Sequence, residues 1–240
     1  MPKYKLHTIL TPGLLPNYTL EKSIVVIIDV FRATTTIATA LYNGAQSIIP
    51  VETVEEAQKM MVKKDYIVGG ERDGKKIDGF SCGNSPMEYS TNLVKNKTIV
   101  FTTTNGTKLL KKTELQNPSL IISGAFVNQS AIQNFILKNN QPVYLCCAGW
   151  KNRFNMEDAL FAGAIIHSVK KYYVVHCDSS FICCEIYKNY KNDLLKIAPK
   201  LTHYHRLVEQ FGLIDDIEYC LTPDLANVLP MLKNGELIRV

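Results

Sequence analysis

The sequence predicts a three-layer α/β/α fold with a largely parallel sheet. Short apolar runs rich in Val and Ile alternate with helical patterns through the first two thirds of the chain, as in strand–helix–strand units. Polar clusters follow several of these runs, which is typical of loops at the carboxyl ends of parallel strands. The predicted strands are Ile24 to Asp29, Ser47 to Val51, Tyr66 to Val68, Thr98 to Thr102, Leu120 to Ser123 and Val143 to Cys147.

Capping residues mark the predicted helices. "TVEE" at 53 to 56 and "SPME" at 85 to 88 have the spacing of a capping box. In this motif the hydroxyl of the first residue accepts from the backbone N–H of the fourth, and the glutamate at the fourth position accepts from the backbone N–H of the first. The helix after Thr36 should end at Gly44, and Asn155 should cap a long apolar helix. Two further helices are predicted over Ser179 to Tyr190 and His203 to Phe211.

Length and repetition point to one domain spanning residues 1–240. The chain has 240 residues, 46% of them hydrophobic, enough for a substantial core. Three units echo the order strand, polar loop, helix and strand, with loops "DVFRATTT", "TTTNGTK" and "CAGWKNRFNMED". This leaves two arrangements open, a single unit or two similar, intimately packed α/β halves.

Charge and composition favour a small acidic ligand. Lys and Arg number 27 against 22 acidic residues, a net charge of +5 that is spread along the chain without a dense basic run. Nucleic acid is therefore not an expected partner. No apolar run approaches a membrane span and no signal-peptide pattern opens the chain, so we expect no membrane partner and a cytoplasmic location.

The seven cysteines include no CxxC pair, and we expect buried, reduced thiols. Cys82 is the exception because it lies in a polar, Gly-rich loop.

The first candidate site follows the first strong strand. Asp29 ends this strand, and Arg32 with Thr34, Thr35 and Thr36 opens the next helix. Backbone N–H groups and hydroxyls at a helix start can bind an anion, and a guanidinium can hold a phosphate through two parallel hydrogen bonds. The alternative is that Asp29 only caps the helix.

A second polar turn has the same design. "TTTNGTK" follows a strand, and Asn-Gly tolerates the positive φ that lets successive N–H groups converge on an anion. A simple turn is the alternative. The candidates here are Thr103, Thr104, Asn105, Gly106, Thr107 and Lys108.

Four carboxylates could hold a divalent cation. Glu71 and Arg72 open a long Gly-rich stretch, "GGERDGKKIDGFSCGNSP", and Glu157 and Asp158 lie in the first turn of the helix after Asn155. The carboxylates of Asp29, Glu71, Glu157 and Asp158 are hard oxygen ligands. Together with the phosphate-binding loops they point to Mg²⁺. Glu71 could instead lie in a solvated loop, and the acids of the helix start could serve only its dipole.

The five histidines, at 7, 167, 176, 203 and 205, do not fall near these loops. His203 and His205 are two residues apart, which places them on opposite sides of a helix, and we interpret them as surface or structural residues.

Five stretches of the chain, taken in sequence order, resemble those of the 2-phosphosulfolactate phosphatase family. The members of this family are Mg²⁺-dependent enzymes named for a step of coenzyme M biosynthesis. They are "IDVFRATTTIATAL", "GGERDGKKIDGF", "GNSPMEY", "TTTNGTK" and "CAGWKNRFNMEDALFAG". A looser similarity continues through "LIDDIEYC" and "VLPMLKNGELIRV". The family differs at "FSC", where an aspartate usually follows the phenylalanine, and slightly at "RFNMED", which keeps both acids.

The resemblance implies hydrolysis of (2R)-2-phospho-3-sulfolactate to 3-sulfolactate and phosphate. Asp29, Arg32, Glu71 and Asp158 would be catalytic, and Mg²⁺ would be held by two or three of Asp29, Glu71, Glu157 and Asp158. The substrate-binding candidates are Thr34, Thr35, Thr36, Arg72, Asn84, Ser85, Thr103, Thr104, Asn105, Gly106, Thr107, Lys108 and Arg153. A small polyanion suits these separate anion-binding elements, to which Lys151 adds a further charge.

Several alternatives stay open at this point. Asp29 could bind the metal or attack phosphorus as a nucleophile. A haloacid dehalogenase-type phosphatase would need a second aspartate where Phe31 stands. Another small phosphorylated acid could be the substrate, the chain could bind an anionic metabolite without catalysis, and a homodimer is one possible assembly.

Overall fold

The computed structural model describes residues 4–175 and 177–240, and His176 lies outside this part of the chain. Its strands are β1 (Leu6–Ile9), β2 (Ile24–Ile28), β3 (Ser47–Pro50), β4 (Tyr66–Arg72), β5 (Lys75–Lys76), β6 (Thr98–Thr102), β7 (Leu120–Gly124), β8 (Val143–Cys147), β9 (Pro230–Lys233) and β10 (Glu236–Arg239). Its helices are α1 (Ala33–Tyr42), α2 (Val54–Met60), α3 (Thr91–Val94), α4 (Gly106–Glu114), α5 (Gln129–Lys138), α6 (Met156–Val169), α7 (Asp178–Tyr190), α8 (Thr202–Phe211) and α9 (Ile214–Leu221).

All ten strands join one sheet in the order β1-β8-β2-β7-β9-β10-β3-β6-β4-β5. Two parallel blocks make up most of it, with β1, β8, β2 and β7 in one and β3, β6 and β4 in the other. The antiparallel hairpin β9–β10 pairs with β7 on one side and with β3 on the other. The predicted fold class is confirmed, and the C-terminal hairpin joins its two blocks.

The sheet curls strongly enough to bring distant strand ends together. Asp29 follows β2 and Glu71 lies in β4, and these strands are six positions apart in the sheet order. A flat sheet would separate them by about 28 Å. Both residues nevertheless line one cleft, and α1 contacts strands of both blocks. Such an approach requires the sheet to twist and curl along its width, as parallel sheets generally do.

The central strand β2 shows why the fold has three layers. Its five residues are all buried, as expected of a parallel strand covered on both faces. Ile24, Val26 and Ile28 belong to a core cluster that includes residues of α5, α6 and α7. Val25 and Ile27 belong to a second cluster, on the other face, that includes residues of α1 and α4.

All six predicted strands are confirmed, and β4 is longer than predicted. It continues through Gly69 and Gly70 to Arg72, so that Glu71 lies in a strand rather than in a loop. Glycine is required here because a Cβ on Gly69 would lie 2.0 Å from the Tyr89 hydroxyl, and one on Gly70 would lie 2.1 Å from the Thr102 carbonyl oxygen. The two glycines therefore mark close packing within a strand and do not begin the loop that was predicted here.

The predicted helix starts are partly confirmed. Thr53 and Glu56 form the expected capping box of α2. The second capping box is wrong, because Ser85 caps only a single 3-10 turn and Glu88 turns back to accept a hydrogen bond from the Gly83 N–H at 2.8 Å. Asn155 precedes α6 as predicted but does not cap it with its side chain. Within the described ranges no helix is both long and apolar enough to cross a membrane.

The contact between α6 and α7 depends on one glycine. A Cβ added to Gly163 would lie 2.1 Å from the backbone oxygen of Cys183. Because backbone cannot move aside as a flexible side chain can, we expect Gly163→Ala to lower the free energy of unfolding by about 3 kcal/mol. Urea denaturation measures this change. Gly13→Ala is the matched control because its Cβ would meet only ordinary contacts of 3.7 Å or more, and equal stability of both variants would contradict the prediction.

Candidate active site

A buried cleft brings together loops that follow strands of both blocks. Six of the residues that line it were predicted from the sequence, namely Asp29, Arg32, Glu71, Asn84, Thr104 and Asn105. Five others, not predicted, also contribute side chains: Phe31, Asp73, Trp150, His203 and Arg206. The cleft therefore contains both acidic and guanidinium groups.

Asp29 offers a carboxylate without a partner. Its backbone N–H donates to the Thr34 hydroxyl at 3.1 Å, which fixes the turn between β2 and α1. The side chain is 7% exposed, and its oxygens have no hydrogen-bond donor among the described residues. Burial, followed by the nearby charges of Glu71 and Glu157, raises the pKa of Asp29 to about 8, although Arg32 and Arg206 oppose this shift. A cation or a proton would satisfy this group.

Glu71 ties two loops together at the wall of the cleft. One of its oxygens accepts from the Gly74 N–H and the other from the Thr104 N–H, both at 2.7 Å. These bonds join the turn after β4 to the loop after β6. Because each carboxylate oxygen has a second lone pair, Glu71 can still accept from a ligand or coordinate a cation.

Arg32 lies in a strained backbone conformation at the start of α1. Its φ of 95° is in the region that favours glycine. The guanidinium is buried, with Nη1 donating to the Gly74 carbonyl oxygen at 3.2 Å, and Nε has no partner among the described residues. An unpartnered buried donor at a strained residue is typical of a ligand-binding position.

Glu157 is connected to the cleft by a hydrogen bond to His203, which lines it. Its Oε1 lies 2.6 Å from Nδ1 of His203, and Asn155 Nδ2 lies 3.3 Å from the same nitrogen. The His203 ring packs beside Phe31, with ring centres 5.5 Å apart. His203 is not a surface residue, because its side chain is only 9% exposed and lines the cleft, while its bond to Glu157 is compatible with the structural role that was the other interpretation.

Asp158 lies beneath the cleft and fastens two strand ends. Its two oxygens accept from the Val30 N–H at 2.9 Å and from the Gly149 N–H at 3.0 Å. The side chain is fully buried, and burial together with the Glu157 and Asp29 charges raises its pKa well above the usual range. Asp158 thus connects the loop after β2 to the loop after β8 through these two hydrogen bonds.

The three threonines of α1 use their hydroxyls inside the protein. Thr34 Oγ1 accepts from the Asp29 N–H, Thr35 donates to the Val30 carbonyl and Thr36 donates to the Asn84 carbonyl. All three are buried, and the structure does not bring them to the cleft wall. They shape the turn that presents Asp29 and Arg32.

The turn before α4 divides between the cleft and its surroundings. Thr104 and Asn105 line the cleft, and a Cβ on Gly106 would lie 2.9 Å from Asp29 Oδ2, so the start of α4 closely approaches this carboxylate. Thr103 and Thr107 bond to each other. Lys108 is exposed in a neighbouring groove that also includes Lys151.

Arg72 and Arg153 lie outside the cleft. Arg72 donates to the Glu71 and Glu52 carbonyls and to the Thr102 hydroxyl, which leaves it little capacity for a ligand. Arg153 lines an adjoining pocket.

Ser85 and Cys82 also lie outside the cleft. Ser85 donates to Asp216 at 2.6 Å. Cys82 is buried in the core, and burial raises its pKa to about 11.

Three residues that line the cleft were not predicted from the sequence as site residues. His203 and Arg206 come from α8, and Trp150 follows β8. A signal was present, because residues three apart share a face of a helix and His203 and Arg206 have this spacing. Only the spacing between His203 and His205 was considered, and it places these two residues on opposite sides of the helix.

No group of three or more His, Cys, Asp or Glu side chains in residues 4–175 and 177–240 is arranged to hold a metal by itself. Asp29 has free oxygens, Glu71 has spare lone pairs, and Asp158 is committed to two backbone N–H groups. A cation that keeps several waters and takes only one or two carboxylates fits this set.

Comparison with known proteins identifies the family of this chain. The sequence profile of the family described as 2-phosphosulpholactate phosphatase matches residues 9–235. The chain is 42% identical over 220 residues to a protein of Caldanaerobacter subterraneus subsp. tengcongensis, with 90% of each chain covered. It is 41% identical over 213 residues to a protein of Thermotoga maritima, covering 89% of this chain and 90% of the relative. A Clostridium acetobutylicum protein is 40% identical over 219 residues, with 89% and 91% covered.

All three relatives carry the name probable 2-phosphosulfolactate phosphatase. The profile and the relatives cover most of the chain, including the strands and loops that form the cleft. The chain therefore belongs to the 2-phosphosulfolactate phosphatase family, a family of phosphoric monoester hydrolases.

Proposed function

We propose that this protein is a Mg²⁺-dependent phosphatase that hydrolyses (2R)-2-phospho-3-sulfolactate to 3-sulfolactate and inorganic phosphate. Family membership supports the phosphomonoester chemistry. The substrate follows the names of the relatives, and it carries three acidic groups, which suits a cleft with more than one anion-binding element.

One observation carries the proposal. Within the part of the chain that the structure describes, the cleft holds a carboxylate without a partner, Asp29, together with N–H donors of Arg32 and Arg206 that have no acceptor. These groups do not satisfy one another, although buried polar groups normally have partners. A phosphate ester with a divalent cation would satisfy both kinds of group, since its oxygens accept from guanidinium while the cation meets the carboxylate.

The residues present fit Mg²⁺. Asp29 would hold it with free oxygens, and Glu71 could add a lone pair while keeping its backbone bonds. When bound, such an ion neutralises phosphoryl charge and polarises the phosphorus–oxygen bonds. Arg32 then binds phosphoryl oxygens, because its buried Nε has no other acceptor among the described residues.

The remaining residues position groups and handle protons. Glu157 holds Nδ1 of His203, so Nε2 is the ring atom left to deliver a proton to the leaving alcohol oxygen. Asp29 either helps to bind the cation or attacks phosphorus itself. In both cases Asp158 holds the Asp29 loop in place through Val30.

A panel of phosphate esters tests the proposal. Release of phosphate from 2-phosphosulfolactate, phosphoglycolate and a simple alkyl phosphate is measured with Mg²⁺ and with EDTA. We expect the highest kcat/KM on 2-phosphosulfolactate and loss of activity in EDTA that Mg²⁺ restores. A better substrate among the other acids would overturn the substrate assignment, and no turnover of any ester would favour a binding protein.

Single-turnover hydrolysis in ¹⁸O-water separates the two roles of Asp29. If Asp29 attacks phosphorus, hydrolysis of the aspartyl-phosphate can place label in its carboxylate after water attacks the carbonyl carbon, or in phosphate after attack at phosphorus. Trapping of a phosphorylated Asp29 peptide by acid quench covers the second case. Label in the phosphate, with neither label in the Asp29 carboxylate nor a phosphorylated Asp29 peptide, supports the direct attack of water.

The proposal includes a cytoplasmic location. All seven cysteines are free thiols in the structure, and unpaired thiols are typical of a reducing compartment.

A further inference from the structure

The Arg206 guanidinium lies against Trp150 at the boundary between two pockets. Its central carbon is 4.2 Å from the centre of the indole ring, a close cation–π contact. Arg206 and Trp150 line the reaction cleft, and both also line an adjoining pocket of about 240 Å³. Arg32 lines only the cleft, beside Asp29. Arg206 therefore lies between the cleft and the adjoining pocket, whereas Arg32 lies in the cleft alone.

Arg206 has donors to offer at this boundary. Its Nε and Nη1 are buried and have no acceptor among the described residues, and the same is true of Trp150 Nε1. A guanidinium that serves the fold alone looks different in this protein, since Arg72 donates to three oxygens of its own chain. The cation–π contact holds the Arg206 group against the indole ring, and Nε and Nη1 remain without an acceptor among the described residues.

The acidic neighbours of Arg206 do not bind these donors. Glu71 gives its oxygens to Gly74 and Thr104, and Glu157 gives Oε1 to His203. Two guanidinium groups, Arg32 and Arg206, therefore face one cleft, and no carboxylate of residues 4–175 and 177–240 bonds to either. One acidic group per guanidinium would satisfy this arrangement, and a substrate with a phosphate and a second acid supplies both.

We propose that Arg206, held against the indole ring of Trp150, binds the second acidic group of the substrate and so makes the enzyme select phosphate esters of hydroxy acids. This inference rests on the proposed phosphatase function and assigns the residue that determines specificity within it. The recognised group is a carboxylate or sulfonate, and Arg32 remains the ligand of the phosphoryl group.

Three esters test the assignment by subtraction: 2-phosphosulfolactate, 2-phospholactate, which lacks the sulfonate, and isopropyl phosphate, which lacks both acids. For Arg206→Gln we expect kcat/KM on 2-phosphosulfolactate to fall roughly 10- to 100-fold, mostly because KM rises. Isopropyl phosphate should change by no more than about twofold. If 2-phospholactate falls as far as 2-phosphosulfolactate, the contact is to the carboxylate; if it does not, the contact is to the sulfonate.

Variants that keep part of the arrangement control for a general loss of structure. Arg206→Lys keeps the charge but not the planar fork, and should lie between the parent and Arg206→Gln. Trp150→Phe keeps an aromatic ring and should retain more selectivity than Trp150→Leu. Arg239→Gln removes an arginine from an exposed position and should match the parent. An equal loss on all three esters would overturn the inference while leaving the phosphatase function intact.

Ligand binding provides a readout that does not need turnover. Calorimetric titration of the parent and Arg206→Gln with 3-sulfolactate and with inorganic phosphate should show weakened binding of 3-sulfolactate alone. If phosphate binding weakens as much, Arg206 binds the phosphoryl group and the inference is wrong. This comparison separates the inference from the proposed function, since a protein without any phosphatase activity still gives a decisive result.

Discussion

Asp29→Asn is expected to lower kcat by about 10³-fold or more while leaving the fold intact. Asparagine keeps the size of the side chain and the backbone bond to Thr34. It removes the carboxylate that meets the cation or attacks phosphorus, so both roles considered for Asp29 are lost. Steady-state phosphate release on 2-phosphosulfolactate with Mg²⁺ measures the effect.

Asp73→Asn is the matched control in the same cleft. Asp73 also lines the cleft, but its side chain is 68% exposed and pairs with Lys151 at 3.1 Å. An exposed ion pair contributes little, so this variant should keep most of the parent activity. Retention of more than about a tenth of the activity in Asp29→Asn would contradict a catalytic role, because a lost proton-transfer or metal contact costs more.

The prediction for Asp29 follows from local sequence, whereas the partners of Asp29 do not. An apolar strand that ends in Asp29 and leads into a helix at Ala33 is visible as a pattern. The spacing of His203 and Arg206 places them on one face of α8, but no local pattern encodes that this face packs at the cleft, because the contact joins distant parts of the chain. The joining hairpin β9–β10 was missed for the same reason, since its pairing with β3 and β7 is set by tertiary structure.

Polar residue types were easier to predict than the atoms they bond. The threonines of α1 and the acid Asp158 were predicted to face a ligand, but the structure shows their oxygens bonded to backbone groups. A chain that turns sharply at a strained Arg32 leaves buried N–H and C=O groups, and these must find partners nearby. Much of the polarity at this strand end therefore builds the turn, and a smaller part remains for the ligand.

Asp29 should also make the metal-free protein less stable as the pH rises. Its pKa is about 8 in the folded protein because of burial and the Glu71 charge, against 3.8 as its ordinary value. The folded state therefore holds an extra proton between these values, and its stability is fully present below about pH 4 and is lost as the pH rises through about 8. One proton corresponds to about 1.4 kcal/mol per pH unit.

The same variant isolates this contribution, because asparagine does not titrate. Urea denaturation in EDTA should show the parent losing about 2 kcal/mol relative to Asp29→Asn between about pH 6 and about pH 7.5. Saturating Mg²⁺ should stabilise the parent more at the higher pH, since the cation must displace the Asp29 proton. Parallel curves for the two proteins would contradict the raised pKa. A variant that gains stability while losing turnover would mean that Asp29 is retained for chemistry at a cost to the fold, as expected of a charge buried without a partner until the ligand arrives.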